Sequence, residues 1–477
     1  MFHRPLLAAT LFLLSGCALG PDFLRPKITP LPVYHEAPAD WKFAAQSLQS
    51  SPDHQPALAP DWWKIFDDAE LDQLVETANA ANQDIAAAAA SYRQAVAALG
   101  VNRAGLFPGV DIGLARNRGA QDGGAISRSN RLTLDIGWEV DLWGRIRRGI
   151  EAGENTAAAS AADLAAMRLS IQAALVQDYL QLRVNDIHQR LLESTLEAWQ
   201  RSLDITRNRY QAGVVSQADV AQAETQYEST RAQLIDLGIQ RAQLEHALAL
   251  LQGKIPGSVQ LAPRDKGDQE TPKLPEIPPA LPSTLLENRP DIIAAERHVA
   301  AANAEIGVAQ AVFFPVLNLG ASGGYQSASF ANLVSAPHRF WSLGPALALT
   351  LFDGGRRSSR KEQAIAAYDQ RVANYRQTVL TAFQEVEDSL AALSILAAEQ
   401  AVQARAARAA SEFQTLTRNQ YLAGTVSYLN VATAQTAALS AERASLELLN
   451  RQLQTAVTLV KALGGGGWRH HGRPPES

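Results

Sequence analysis

The sequence predicts an α+β membrane protein with an internal duplication, in which a few short strands connect to unusually long helices. One stretch occurs twice: Tyr210–Thr225 and Tyr421–Thr436 share tyrosine, Ala-Gly, valine, serine, Val-Ala and a late threonine at a constant offset of 211 residues. Segments in which apolar and polar residues alternate, as in a β-strand, precede each copy. Around each copy, apolar residues recur at the heptad spacing of a coiled coil. These three observations predict the duplicated unit and its two kinds of element.

Composition and charge argue against several classes of protein. The 477 residues include 43 Lys+Arg and 48 Asp+Glu, a net charge of −5, which disfavours a nucleic-acid partner. The single cysteine allows no intrachain disulfide. The chain has no nucleophile, zinc-protease or phosphate-loop motif, so we expect no enzyme activity, no catalytic residue, no cofactor and no metal site. His470 and His471, near the C-terminus, are expected to be solvated.

The N-terminus is typical of an exported protein. The apolar run Leu6–Leu14 is too short to span a bilayer, which takes about 20 residues, but it has the length of a signal sequence. Leu14-Ser15-Gly16-Cys17 resembles the lipobox of bacterial lipoproteins, which implies that Cys17 is lipidated. By the same resemblance, Ala18 favours the outer membrane and its lipid. An ordinary signal sequence with an incidental cysteine is the alternative.

The chain is expected to divide into six segments. Each of two repeats begins with a helix, continues through two strands and ends in a long helical hairpin. A proline-rich extended segment precedes the first repeat, and a segment rich in proline and glycine separates the two. The segments are a lipoprotein signal peptide (1–16), a lipidated extended segment (17–66), the first repeat (67–251), an equatorial connecting segment (252–288), the second repeat (289–463) and a flexible tail (464–477).

Alternation of apolar with polar or small residues predicts the strands. Between Leu132 and Leu142 it holds over about 11 residues, the length that crosses a membrane as a tilted strand. The four strands are predicted at about 107–118, 131–142, 314–326 and 341–352. Pro345, in the last of these, requires an edge strand or a bulge. A soluble, half-buried hairpin is the alternative for the first pair.

Two long helical hairpins are predicted, at 146–251 and 355–463. The first helix alone would be near 100 Å long at about 1.5 Å per residue. Gly213 and Gly424 each stand three residues before a serine. Glycine ends a helix in the left-handed conformation and serine opens the next one, so each copy of the repeat predicts a tight turn. The tips are Ala212-Gly213-Val214 and Ala423-Gly424-Thr425, at the end of the helices away from the strands.

Four strands cannot close a barrel, and an open sheet in lipid would leave edge groups unpaired. Closure takes about eight strands or more, so the chain should oligomerise. A dimer would give eight strands and a trimer twelve. The polar strand faces would then point inward, around a wet and acidic lumen lined by Asp135, Glu139 and Asp141.

Several motifs together resemble the TolC-like outer membrane factor family, in particular its NodT-type efflux lipoproteins. Besides the lipobox and the repeated Tyr-x-x-Gly tip, they are Asp61-Trp62-Trp63-x-x-Phe66, Leu286-x-x-Arg289-Pro290-Asp291-Ile292, Phe314-Pro315 and Phe352-Asp353-Gly354-Gly355. The resemblance spans essentially the whole mature chain. It implies a homotrimer with one twelve-stranded barrel continued by a periplasmic α-helical coiled-coil barrel. It also implies docking of the tips to a periplasmic adaptor, and an inner-membrane pump, commonly of the resistance-nodulation-division class.

The same resemblance implies a gate near the tips. Family members close this end with polar links between helices, and Tyr421 and Asp219 match one linking pair. Val426 stands where TolC has a linking arginine, and Asn430 and Thr433 stand where it has acidic residues that ring the lumen. We therefore expect fewer polar links and more apolar contact at Val426. The alternative is that Asp219 only caps its helix through a capping box with Ser216.

The expected function is passive export through the outer membrane, as the exit duct of a tripartite pump for drugs or other small toxic compounds. Within the family, a protein-secretion duct is the closer competitor. A non-conducting periplasmic coiled-coil scaffold lipoprotein would explain the helices but not the four alternating segments.

Overall fold

The computed structural model describes residues 18–29, 33–39, 41, 59–120, 126–263, 271–278, 280 and 282–466. The predicted signal peptide, Cys17 and the two histidines near the C-terminus lie outside these residues. The helices of the described part are α1 (Ala69–Ala81), α2 (Gln83–Ala104), α3 (Arg145–Gln211), α4 (Gln217–Leu251), α5 (Pro282–Asn288), α6 (Pro290–Ala311), α7 (Arg356–Leu422) and α8 (Tyr428–Ala462). The strands are β1 (Gly109–Ala120), β2 (Ile126–Val140), β3 (Val316–Ser327) and β4 (Arg339–Ala348).

The two halves of the chain repeat each other closely. Helices α3 and α7 each have 67 residues, and α4 and α8 each have 35. The corresponding first and last residues of these helices all differ by 211, the offset of the repeated stretch. The predicted internal duplication is therefore confirmed. None of the described helices combines the length and the apolar, nearly uncharged run that crossing a bilayer requires.

Contacts divide the chain into two compact units. The first comprises residues 1–28, 89–162 and 292–378, so far as they are described, and contains the four strands. The second comprises residues 29–88, 163–291 and 379–477, again so far as described, and contains both hairpin tips. Each unit draws on both repeats.

In the first unit, the strands form one antiparallel sheet in the order β1-β2-β3-β4. Strands β1 and β4 are its edges, and each has a strand partner on one side only. Pro345 lies in β4 opposite Leu319, and an edge strand is where a residue without an N–H is tolerated.

Two strands begin or end away from the predicted positions. β2 begins five residues earlier than predicted, at Ile126, because Ile126 pairs with Ala120 at the end of β1. Residues 127–130 are polar, so a hydrophobicity pattern does not predict this extension of the strand. β4 ends at Ala348, whose partner is Val316, the first residue of β3. Pro315 precedes Val316 and has no N–H to donate, so residues 349–352 are not in a strand.

In the second unit, a large apolar cluster packs α1 and the Trp62–Phe66 turn against α3, α4 and α8. Trp62 is fully buried, and its indole N–H donates to the Gln172 Oε1 atom at 3.2 Å. The tryptophan pair is thus part of the core packing. Leu192, Trp199, Leu237 and Leu439 form a second cluster along the heptad seam.

A buried ionic network interrupts that seam at Arg241. Asp186 accepts hydrogen bonds from the guanidinium groups of Arg183, at 2.9 Å, and of Arg241. Asp186 and Arg183 are almost completely buried. Their charges are therefore compensated inside the protein. Within the predicted irregular segment 252–288, Pro282–Asn288 forms a short helix that buries Leu285.

Candidate functional site

The sheet of the first unit has one apolar face. Its side chains alternate along each strand, and most of the large ones are exposed in the single chain. An exposed apolar sheet face of this extent is unusual for a soluble protein and suits contact with lipid. The large apolar residues of this face are Val110, Ile112, Leu114, Leu132, Leu134, Ile136, Trp138, Val140, Leu317, Leu319, Trp341, Leu343 and Leu347.

The opposite face is polar and small. One row across all four strands consists of Asp111, Asp135, Ser322 and Ser342, and the Ser322 hydroxyl donates to Asp135 Oδ1 at 2.5 Å. The next row on this face, towards the helices, consists of four glycines: Gly109, Gly137, Gly320 and Gly344. Asp135 is where the sequence predicted an acid facing the lumen. Asp111 was missed, although its alternation with Val110 and Ile112 was a usable signal.

Glu139 and Asp141, the other two predicted lumen acids, lie at the junction with α3 and have arginine partners. The Arg145 guanidinium donates to both carboxylate oxygens of Glu139, at 2.9 and 2.7 Å. Asp141 follows the end of β2 and accepts from the backbone N–H groups of Ile146 and Arg147, at 3.1 and 3.0 Å, and from Arg147 Nε. Their negative charge is therefore largely compensated within the chain.

The second repeat has the same junction. Asp353 accepts from the backbone N–H of Arg357 and from its Nε, the latter at 2.8 Å. Partial burial alone would raise the pKa of Asp353, but the hydrogen bonds from Arg357 outweigh it and hold that pKa below its usual range. Both strand-to-helix junctions therefore place an aspartate before the start of a helix, where a negative charge is favourable.

In the second unit, the repeated stretch forms two tight helical turns. Gly213 and Gly424 have φ of 73° and 77°, the left-handed conformation predicted for them. The N–H of Val214 donates to the Arg209 carbonyl at 2.9 Å, and the N–H of Thr425 donates to the Gln420 carbonyl at 3.0 Å. A Cβ added at either glycine would meet nothing within 4 Å. The predicted turn geometry is confirmed, and backbone conformation alone explains the glycines.

The two turns differ at the helix that follows. Ser216 and Asp219 form a reciprocal capping box: the Ser216 N–H donates to Asp219 Oδ2 at 3.0 Å, and the Asp219 N–H donates to Ser216 Oγ at 3.3 Å. In the second copy Ser427 makes no side-chain cap hydrogen bond, and Asn430 stands at the position of Asp219.

Tyr421 and Asp219, the predicted linking pair, have different partners in the described part of the chain. Tyr421 is buried, its hydroxyl lies 3.4 Å from Thr206 Oγ1, and its ring packs edge-on against Tyr428. The Arg209 guanidinium lies over the Tyr421 ring, 4.6 Å from its centroid, and donates to the Tyr421 carbonyl at 3.1 Å. The carboxylate of Asp219 is instead engaged by Ser216. Arg209 is thus the partner of Tyr421 that sequence reasoning missed.

Val426 precedes α8, and Asn430 and Thr433 lie in its first two turns. Val426 is half-buried against the apolar cluster of Tyr421, Tyr428 and their neighbours. Asn430 and Thr433 are exposed on α8, with Leu429, which is 59% exposed. The Thr433 hydroxyl donates to the Leu429 carbonyl at 2.9 Å. One side of α8 near the tip therefore carries exposed neutral groups.

In the first unit, the residues that follow Cys17 are held at the base of the sheet. The Leu19 N–H donates to the Trp143 carbonyl at 3.2 Å, just beyond the end of β2. The buried Arg148 guanidinium donates to the Leu19 carbonyl at 3.0 Å and to Asp22 at 2.8 Å. A Cβ added at Gly307 would lie 2.7 Å from the Leu19 carbonyl oxygen, so only glycine permits this approach.

Comparison with known proteins adds independent information. A family model described as outer membrane efflux protein matches residues 74–254 and 281–465. The antibiotic efflux pump outer membrane protein ArpC and the toluene efflux pump outer membrane protein TtgC, both of Pseudomonas putida, are each 32% identical to this chain. Each match covers 98% of this chain and 96% of the relative.

A solved structure of the outer-membrane channel OprN superposes with a TM-score of 0.85 at 31% identity. The superposition covers 95% of this chain and all of that one.

Proposed function

The chain belongs to the outer membrane efflux protein family, and on that premise we propose that it is the passive exit duct of a tripartite efflux pump. Its fold class and its role as an outer membrane efflux component, both predicted from the sequence, are confirmed. We further propose that the chain forms a homotrimer. Its partners in the proposal are a periplasmic adaptor and an inner-membrane pump of the resistance-nodulation-division class. Small toxic compounds are the proposed cargo. The relatives named for antibiotic and toluene efflux favour them over secreted proteins.

One observation carries the proposal: the sheet has an apolar face, a polar face and two unpaired edges. In lipid each unpaired backbone group costs several kcal/mol, so the edges must pair with other copies. Three copies would supply twelve strands, with the row that contains Asp111 and Asp135 facing a wet lumen. The chain does no work on its cargo in this scheme, because the pump supplies the energy.

We propose that the gate near the tips depends on the contact between Arg209 and Tyr421 rather than on Asp219. Arg209 fixes the last turn of α7 by stacking on Tyr421 and by bonding its carbonyl. Leu429, Asn430 and Thr433 would then line the constriction, which Val426 supports from behind. A constriction without carboxylates should select weakly for cations.

We therefore expect that Arg209→Gln raises the open fraction of the purified protein in planar bilayers. If the contact contributes about 1.5 kcal/mol, its loss shifts the open fraction about tenfold. The matched control is Arg207→Gln, because Arg207 lies two residues away and pairs with Glu224 in solvent. Absence of any conductance in the parent would favour the scaffold alternative, and equal effects of the two arginine variants would place the gate elsewhere.

We propose that both tips dock the adaptor. Helices of 67 residues lead from the strands to the tips, and the tips expose apolar side chains, among them Val214 at 61% and Leu422 at 56%. Exposed apolar groups of this kind are typical of surfaces that bind another protein.

Gly424→Val should abolish drug efflux in cells while the trimer persists. A β-branched residue at a φ of 77° costs about 1 kcal/mol or more and would distort the tip, although its Cβ would meet no residue beyond its chain neighbours. The matched control is Gly424→Asn, because asparagine tolerates the left-handed conformation. Full drug resistance of cells that carry the valine variant would contradict the docking role.

We also propose that Cys17 is the lipidated N-terminus of the mature protein. The contacts of Leu19 and Asp22 support this, because they hold Leu19, two residues after Cys17, at the end of β2, where the apolar face ends.

Intact mass spectrometry of the mature protein should show a chain that begins at Cys17 and carries acyl groups. In Cys17→Ser the acyl mass should disappear, while the protein remains in the outer membrane because the barrel still holds it. A mature chain that begins elsewhere, or a parent without acyl mass, would refute this assignment.

A further inference from the structure

Four arginines interrupt the apolar face of the sheet at one end. Along β1 the apolar positions Val110, Ile112 and Leu114 are followed on the same face by Arg116 and Arg118. Arg128 of β2 lies on this face directly opposite Arg118 in the antiparallel register. Arg339 of β4 lies on it too, in the row of Leu114, Leu132 and Tyr325. All four arginines are exposed.

This arrangement leaves like charges without compensation. Directly opposite residues in an antiparallel pair have Cβ atoms about 5 Å apart, and like charges there are destabilising. Among the described residues, none of the four arginines is in an ion pair or a hydrogen bond. By contrast, Arg145, Arg147 and Arg148 at the other end of β2 all have carboxylate partners. Within the described part of the chain, no anion therefore compensates these four arginines.

The position of the arginines along the strand identifies the layer that they reach. From Leu132 to Val140 the apolar face of β2 covers about nine residues, the length that crosses a bilayer as a tilted strand. Trp138 lies near its helix end, and Trp341 and Tyr325 lie near its loop end, where aromatic residues mark the interfaces. Arg116, Arg118 and Arg128 lie one or two rows beyond, at the level of lipid headgroups.

The helix end of the sheet carries residues 19–22 and faces the periplasm in the proposed function, on which this orientation rests. The loop end then faces outward. From this geometry we infer that Arg116, Arg118 and Arg128 bind the phosphate groups of a phosphorylated glycolipid of the outer leaflet. In a closed barrel β4 of one copy adjoins β1 of the next, which would add Arg339 to the site.

The arginines and the apolar residues beside them together fit a single amphiphilic lipid. The guanidinium fork matches phosphate oxygens in a bidentate geometry, and it is more weakly hydrated than an ammonium group. The adjacent row of Leu114, Leu132 and Tyr325 offers an apolar surface to acyl chains. A lipid with two phosphates and several acyl chains would satisfy both, and it would neutralise the facing pair Arg118 and Arg128.

The test is binding of diphosphoryl lipid A to the purified oligomer in phosphatidylcholine nanodiscs. We expect that the double variant Arg118→Gln/Arg128→Gln weakens binding about tenfold or more. Arg116→Gln should weaken it less. Arg118→Lys/Arg128→Lys should fall between parent and double variant, because charge is kept and the fork is lost. The control matched to Arg116→Gln is Arg131→Gln, which removes one positive charge from the opposite face of the sheet, where Arg131 stacks on Phe340, and should bind as the parent does.

Three further arms identify the ligand. Monophosphoryl lipid A should bind more weakly than the diphosphoryl form, and neither inorganic phosphate nor phosphatidylglycerol should compete at equal phosphate concentration. Undiminished binding by the double variant, an equal loss in Arg131→Gln, or equal competition by phosphatidylglycerol would overturn the site. If the double variant does not assemble, Arg116→Gln and the lysine pair decide the outcome. Conductance of the same samples in phosphatidylcholine bilayers reports the proposed function separately.

Discussion

The hydrogen-bonding groups on the free edges of β1 and β4 constrain this structure more than any other feature. Lipid offers these groups no water, so a sheet in a membrane must close on itself. Four strands are too few, because barrels require about eight or more. The side chains fit closure: the outer face is apolar, while the inner face carries serines, two aspartates and a row of four glycines. The protomer is therefore one part of an assembly.

The duplication shows which local chemistry both halves need. Each strand-to-helix junction has an aspartate that accepts backbone N–H groups of the helix and pairs with an arginine of its first turn, as Asp141 does with Arg147 and Asp353 with Arg357. The turns at the tips share their left-handed glycines. They differ in the cap, because Asp219 completes a capping box and Asn430 does not. The two hairpins are thus alike in length and in the backbone geometry of the turn but different in the cap of the helix that follows it.

Much of this was readable in the sequence because it depends on local patterns. The 211-residue offset, the heptads and the Gly-to-Ser spacing predicted helix lengths and both turns. The features that could not be predicted depend on the register of the strands or on contacts between residues distant in the chain. Polar residues hide the start of β2 at Ile126, which only pairing with β1 defines. Asp111 lies opposite Asp135 of β2. Arg148 binds the N-terminal segment at Leu19, and Arg209 stacks on Tyr421. The sequence does not indicate any of these contacts. Of the two expectations for Asp219, the capping box with Ser216 is local and is present in the structure, whereas a contact with Tyr421 would join residues distant in the chain.

The central claim is that the open sheet is completed by other copies of the chain, and the mass of the assembly tests it most directly. Native mass spectrometry of the protein extracted in mild detergent should give three copies per particle, and the conducting fraction should coincide with that species. A monomer or dimer that inserts into bilayers and conducts, with its strands intact, would contradict the account.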